Sequence, residues 1–281
     1  MNSFDISRVH WEHGKFNPWY LDSQSNPIKD VRLENSEELM IISLGDQEYG
    51  FLKRELVYHH VIQGKLNNAD FILTFCGVCN AGAIFDPKVD GIVRKYREIG
   101  VYNGQQIFQD DETRSLWNHL TGECLYGDAE GKCLEMINSP RMSTYGIEIK
   151  INPDLPLFIS GKAKVFRAIM NFVIKVILGR SNKNWLPPHF EKTLPKIDGR
   201  LPKMTMGLAV KINKVSPMFF YPCSVLKDKP SLTIGGSEFI LSFIGGVPTV
   251  KSKDGEMPFQ IFTRWYAFSL TYPNGKLITE S

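Results

Sequence analysis

The residues with the most chemistry in this chain are two cysteines three apart, Cys76 and Cys79, in the segment Phe75-Cys76-Gly77-Val78-Cys79. Such a pair converges on one metal ion or closes a small disulfide ring, and the further ligands and the redox setting decide which. A structural zinc site needs four ligands, typically a second pair of cysteines or two spaced histidines. Cys124 and Cys133 are nine apart and Cys223 stands alone, so a zinc ribbon is not expected. Three protein ligands with an open position fit better. His59, just ahead of the strand that carries the thiols, is the expected third. Two soft thiolates and one imidazole suit Cu(I) or Zn(II) and disfavour hard cations. Copper is preferred here and zinc is the alternative. A copper ion with a vacant position leads to dioxygen chemistry on a small organic molecule, whereas zinc would act as a Lewis acid or activate water. The expectation is a metal-dependent oxidoreductase with a small-molecule substrate.

Other readings of the same residues stand beside it. One is a non-catalytic, copper-handling protein that exchanges its ion with partners. Another is a thiol–disulfide oxidoreductase, since thioredoxin-like proteins also present their thiols after a strand. In those folds a helix begins at the motif and lowers the pKa of the first cysteine. Here Asn80 to Pro87 is short, glycine-interrupted and passes through Ala83-Ile84-Phe85, which reads as another strand. Two inert buried cysteines are the plain alternative. Among neighbouring groups, His60 reads as a partner to the ligands or an acid–base group, with an ordinary surface or core histidine the favoured alternative. Asp110, with Asp111, and Trp117 read as substrate-facing, against a solvated turn and ordinary packing. His119, beside Trp117, lines a pocket or simply packs.

The elements that must position these groups are mostly strands. Residues 1–36 are a polar, irregular lead-in. Leu39 to Leu44 and Glu48 to Leu52, around Gly45-Asp46-Gln47, read as a β-hairpin. A short helical or irregular piece spans Glu55 to Gln63, then the Phe71–Cys76 strand follows, and a meander continues to Phe108. Lys162 to Gly179 has helical periodicity, with Lys164, Arg167, Asn171 and Lys175 on one polar, basic stripe. Such a stripe suits an anionic membrane surface, but a helix packed on a sheet with its lysines in water is the favoured reading. A proline-broken linker runs over 181–203. The hairpin then returns at Leu208, and Phe239-Ile240-Leu241-Ser242-Phe243 echoes Phe71 to Phe75 at an offset of 168 residues. In the echo Ile244 and Val247 stand at the cysteine positions and Lys227 at that of His59, so all three expected ligands are missing together. The expected fold is therefore β-rich α+β: two related meander-and-hairpin halves from an internal duplication, packed as one body with a helical insert. The expected divisions are 1–36, a first half over 37–155, an insert and linker over 156–203, and a second half over 204–281 lacking the cysteines.

An ordered set of short motifs resembles a bacterial family known as domain of unknown function family 3179. The set comprises His59, Phe75 to Cys79, Phe85-Asp86, Asp90-Gly91, Asp110 or Asp111, Ser115-Leu116-Trp117 and Thr121-Gly122-Glu123. Near the other end, Arg264-Trp265-Tyr266-Ala267-Phe268 matches the family's closing element. The resemblance touches about residues 38–125 and 200–275. Gly77-Val78 replaces the family's usual proline-leucine, His60 stands where a glutamate follows the histidine, and Tyr58 replaces a tryptophan. The resemblance implies a duplicated, β-rich chain with a His/Cys/Cys site and carries no established reaction.

Bulk properties bound the remaining classes. With 281 residues, 43% of them apolar, the chain can bury a large core. A net charge of +3 from 33 basic and 30 acidic residues is too balanced for a nucleic-acid binder. Five cysteines, an odd number, argue against a secreted disulfide framework. Met1 to Arg8 has no apolar leader-like run, and no stretch reaches the ~18 apolar residues of a spanning helix. The expected location is the cytoplasm.

Overall fold

The computed structural model describes residues 4–13, 15–21, 24–160, 176, 184–213 and 215–279. The expected helix over 162–179, with its basic stripe, lies outside the described residues except at Val176. The chain is β-rich, but it is arranged as a five-bladed β-propeller of small sheets rather than as two meander halves around a helical insert.

The first blade starts as the expected hairpin, β1 (Glu38–Leu44) and β2 (Gln47–Leu52), followed by helix α1 (Lys53–His59). The second is built on β3 (Val61–Leu66), β4 (Ala69–Cys76) and β5 (Ala81–Phe85). The third is β6 (Tyr96–Tyr102), β7 (Gln105–Asp110), β8 (Leu116–Asn118) and β9 (Cys124–Tyr126). The chain then returns. Strand β10 (Met136–Asn138) joins the second blade beside β5, while β11 (Arg141–Thr144) and β12 (Pro156–Phe158) flank the first hairpin on either side. Helix α2 (Tyr145–Ile151) links that last pair. The fourth blade takes β13 (Met206–Lys211) and β14 (Phe219–Pro222), with helix α3 (Cys223–Leu226) after them. The fifth is β15 (Ser231–Ile234), β16 (Ser237–Ile244) and β17 (Val247–Lys251). Strands β18 (Phe259–Arg264) and β19 (Lys276–Leu277), joined by helix α4 (Trp265–Thr271), complete the fourth.

Some element order does recur: β13 to β17 follows the plan of β1 to β5, and β18–α4–β19 that of β11–α2–β12. The recurring pieces are nevertheless not two halves. The runs β1 to β5 and β13 to β17 are each divided between two blades, and β6 to β9 form a blade without a repeat among the described residues. The meander expectation fails because hairpins are finished by distant strands: Met142 pairs with Met40, and Leu157 with Gly50.

Local sequence explains the strands. Two-residue turns with both residues at positive φ, Asn67-Asn68, Asn103-Gly104 and Gly245-Gly246, match the right-handed twist of the hairpins they close. In β1 every residue from Leu39 to Ile42 is buried, because alternate side chains enter different cores. Met40, Ile42 and Leu44 pack with Phe51 and Phe71, whereas Leu39 and Ile41 pack with Leu155 and Leu157. That is why the strand reads as a continuous apolar run instead of an alternating one.

Contacts between consecutive blades close the ring. Asn138 Nδ2 donates to Ser43 O (2.5 Å) between the first two, and Tyr96 N to Gln63 Oε1 (3.1 Å) between the next. Tyr266 Oη donates to Gly104 O (2.8 Å), joining α4 of the fourth blade to the third. Val250 N donates to Gln260 Oε1 (2.9 Å) between the fourth and fifth, and Gly245 backs onto Thr144 to complete the circuit. Among the described residues no helix is long and apolar enough to cross a membrane.

Candidate metal centre

Strand β4 ends at Cys76, which pairs with Ala81 at the start of β5, so Gly77 to Asn80 make a tight reversal with Asn80 at φ 57°. The reversal turns both thiols inward: Cys79 N–H points at Cys76 Sγ (3.5 Å), and Cys79 Sγ at Cys76 O (3.6 Å). The third member of the cluster is His119, not His59. Ligand atoms of Cys76, Cys79 and His119 all lie within 4.8 Å of one another, the only such group of histidine, cysteine or acidic side chains among the described residues. The two cysteines are fully buried and His119 nearly so.

His119 reaches the thiols from the third blade, just past β8. The Asn118 side chain caps the turn there, accepting from Leu120 N (2.8 Å) and Thr121 N (3.1 Å). Thr74 of β4 donates its hydroxyl to His119 O (2.6 Å), which fixes the histidine to the strand carrying Cys76. His119 Nε2 then sits 3.6 Å from Cys79 Sγ and 3.3 Å from Gln105 Oε1.

The clamp on the thiol turn comes from the fourth blade. Cys79 O accepts from Arg264 N (3.2 Å) and Thr263 Oγ1 (2.9 Å), and Asn80 Nδ2 donates to Phe262 O (3.2 Å). The buried Arg264 guanidinium donates to Val78 O (2.9 Å) and to Met204 O (3.1 Å). A cation is thereby placed behind the sulfurs.

Electrostatics divide the two thiols. Burial alone would push Cys76 up, yet the Cys79 thiol and the backbone N–H groups of Cys79, Gln106 and Val78 hold its pKa below the ordinary cysteine value. Burial, and then the neighbouring Cys76 sulfur, raise Cys79 well above it. Burial also lowers His119 to about 3, so at neutral pH the ring is uncharged and able to ligate. One thiolate-prone sulfur, a second thiol and a neutral imidazole form a soft donor set, and these residues can hold a metal ion.

The remaining expected residues sit elsewhere or act differently. His59, on α1, is fully buried; its Nδ1 bonds Asn17 O (2.8 Å), its Nε2 bonds Ser160 Oγ (3.2 Å), and it packs on Trp19. His60 follows at φ 58°, its Nδ1 donating to Phe75 O (3.1 Å), and its ring lines a small cavity shared with His119. Asp110 and Trp117 bond each other, with Trp117 Nε1 donating to Asp110 Oδ2 (2.9 Å); both are buried, and neither lines that cavity or the groove beside the cluster. Asp110 also faces Arg94 (3.4 Å) and Thr113, as an internal brace. His119 carries little local signal, because it is brought to the cysteines by blade packing over a separation of forty residues.

A groove of about 1260 Å³ opens beside the cluster between the third and fourth blades. Gln105, Gln106 and Asn118 line it, as do Arg8, Asp198 and Tyr272. Gln105 stands between groove and cluster, its Oε1 toward His119 and its Nε2 donating to Ala267 O (3.3 Å) and Thr271 Oγ1 (3.0 Å).

No curated protein and no solved structure matches the chain. The segment 17–152, which carries Cys76, Cys79 and His119, matches the family described as Protein of unknown function (DUF3179), the family that its residues resemble.

Proposed function

We propose that Cys76, Cys79 and His119 hold a soft metal ion, copper in preference to zinc, at the heart of an oxidative enzyme that acts on a small organic molecule. The observation that carries this reading is the convergence of three soft ligand atoms, wholly buried, from two different blades. Copper is preferred because three ligands, two of them sulfur, satisfy Cu(I), whereas a closed structural zinc site takes four. A copper ion held there would supply one-electron chemistry toward dioxygen and an organic substrate. The chain's own residues would do the rest. Arg264 offsets negative charge on the sulfurs, Thr74 holds the His119 backbone to the strand that carries Cys76, and the groove beyond Gln105 has room for a small substrate. Complete burial favours an enzyme over a carrier, since an ion exchanged with partners needs ligands near the surface.

The second reading, a thiol–disulfide couple, is favoured by the unequal acidity of Cys76 and Cys79. One experiment separates the two. Protein purified under reducing conditions is analysed for copper and zinc beside Cys76→Ser, Cys79→Ser, His119→Ala and His59→Ala variants. Near-stoichiometric copper in the parent and in His59→Ala, and its loss in the other three, is expected. A metal-free parent that forms a reversible Cys76–Cys79 disulfide would replace the metal reading with the redox one.

A further inference from the structure

A cavity of about 10 Å³ lies directly beside the cluster, between β4 and the β6–β7 pair. Its volume is that of one water site. Its polar lining consists of His60, Thr74, Glu98, Gln106 and His119. Three of these carry buried atoms with no hydrogen-bond partner among the described residues: Glu98 Oε1 and Oε2, Gln106 Oε1 and His119 Nδ1. All three residues are at least nine-tenths buried, at 2%, 5% and 2% exposure. Orphaned polar atoms are costly to bury and uncommon, and here they gather at a single point.

Backbone geometry aims Glu98 at this point. The β6–β7 register slips between Glu98 and Gly100, a bulge that turns a strand side chain off its normal course. Gly100 is required there, because a Cβ would stand 2.4 Å from His10 O. Burial and the Glu12 carboxylate raise the Glu98 pKa to about 9, partly offset by Lys15 and by the Gly100 N–H, which approaches the carboxylate without reaching hydrogen-bond geometry. Whether protonated or ionised, the carboxyl group keeps an acceptor oxygen facing the cavity.

The tautomer of His119 explains the grouping. Nε2 faces the Cys79 sulfur, so Nε2 is the nitrogen that would ligate an ion. Ligation at Nε2 leaves the proton on Nδ1, and a metal-bound histidine characteristically donates that second N–H to a carboxylate, a carbonyl or water. The only orphaned side-chain acceptors around the cavity are those of Glu98 and Gln106 among the described residues. We infer that Glu98 is a positioning residue for His119: with Gln106 and one water in the cavity, it accepts the Nδ1 hydrogen bond of the ligating ring. This inference rests on the metal reading and adds to it an outer partner that the expected ligand set lacked.

The test compares the parent with Glu98→Leu and Glu98→Gln. Cu(I) affinity is measured by competition with a chromogenic chelator, and thermal midpoints are measured on the metal-free proteins. Glu98→Leu should weaken Cu(I) binding about 10–100-fold while leaving the metal-free midpoint equal or higher, since an orphaned carboxyl group is removed. Glu98→Gln, which keeps an acceptor oxygen, should bind close to the parent. Undiminished binding by Glu98→Leu, or weakened binding accompanied by a lowered midpoint in both variants, overturns the positioning role. If Glu98→Leu does not fold, Glu98→Ala decides through the Co(II)-loaded absorption spectrum: a thiolate band displaced from that of the parent and of Glu98→Gln supports the contact, and a superimposable one refutes it. A parent that binds neither ion defeats the metal reading itself.

Discussion

Acidification should destabilise this protein through His60 by an amount the structure allows to be worked out. The ring is buried against Phe16, its Nδ1 bonded to Phe75 O, and burial lowers its pKa from 6.5 to about 3. The folded pKa lies below the unfolded one, so the neutral ring's contribution is present above pH 6.5 and is lost as pH falls toward the folded value. Between about pH 7 and pH 5 the unfolded histidine gains most of a proton and the folded one almost none, a loss of about 2 kcal/mol. His119 shifts in the same direction, whereas Glu98, raised to about 9, is relieved by acid and opposes them. His59 and Lys15 are the other charged or titratable groups acting on the ring. The parent's own pH curve therefore mixes several terms, but its difference from a His60→Asn variant isolates this one. Asparagine tolerates the positive φ at this position and can donate to Phe75 O. In urea unfolding of the metal-free proteins, the stability gap between parent and variant should narrow by about 2 kcal/mol from pH 7 to pH 5. A gap that stays constant or widens would refute the reasoning.

Further outcomes follow from single contacts. Arg141 grips Glu148, whose side chain is fully buried, and Glu48 with paired hydrogen bonds; Arg141→Met should cost about 3–5 kcal/mol in denaturant unfolding, and a loss under 1 kcal/mol would deny the network its role. Adding Glu148→Leu should return part of that loss. Asp110→Asn should cost about 1–3 kcal/mol by weakening its bonds to Trp117, Thr113 and Arg94, yet leave Cu(I) affinity unchanged; a change in affinity would restore Asp110 to the site. Gly82→Ala should destabilise by about 1–3 kcal/mol, because its Cβ would meet Thr74 O at 2.3 Å, and full stability would mean the β4–β5 pairing is looser than described.

What the sequence makes legible here is local. The first hairpin and the strand that delivers Cys76 are readable because their turns demand particular residues, such as Gly45-Asp46 and Asn67-Asn68, and because their apolar runs are continuous. The thiols announce themselves by spacing. His119 does not: its place is set by a hydrogen bond from Thr74 and by the packing of one blade on another, neither of which leaves a periodic trace. His59 misled because nearness in sequence to the thiol strand stood in for nearness in space, while α1 carries its ring to Asn17 and Ser160. The ring of blades was hidden for a similar reason. Strands from beyond residue 136 return to finish the first two sheets, and a linear reading assigns them to a meander.

The bond between the thiol turn and Arg264 also bears on the timing of assembly. Ribosomal synthesis releases Cys76 and Cys79 nearly two hundred residues before the strand that grips their turn. Until that strand emerges, the sulfurs sit on an unfastened loop, open to oxidants and to any thiophilic ion. The strand that completes the fourth blade is thus the latch on a compartment built early, and the finished chamber comes into being only after translation has passed it.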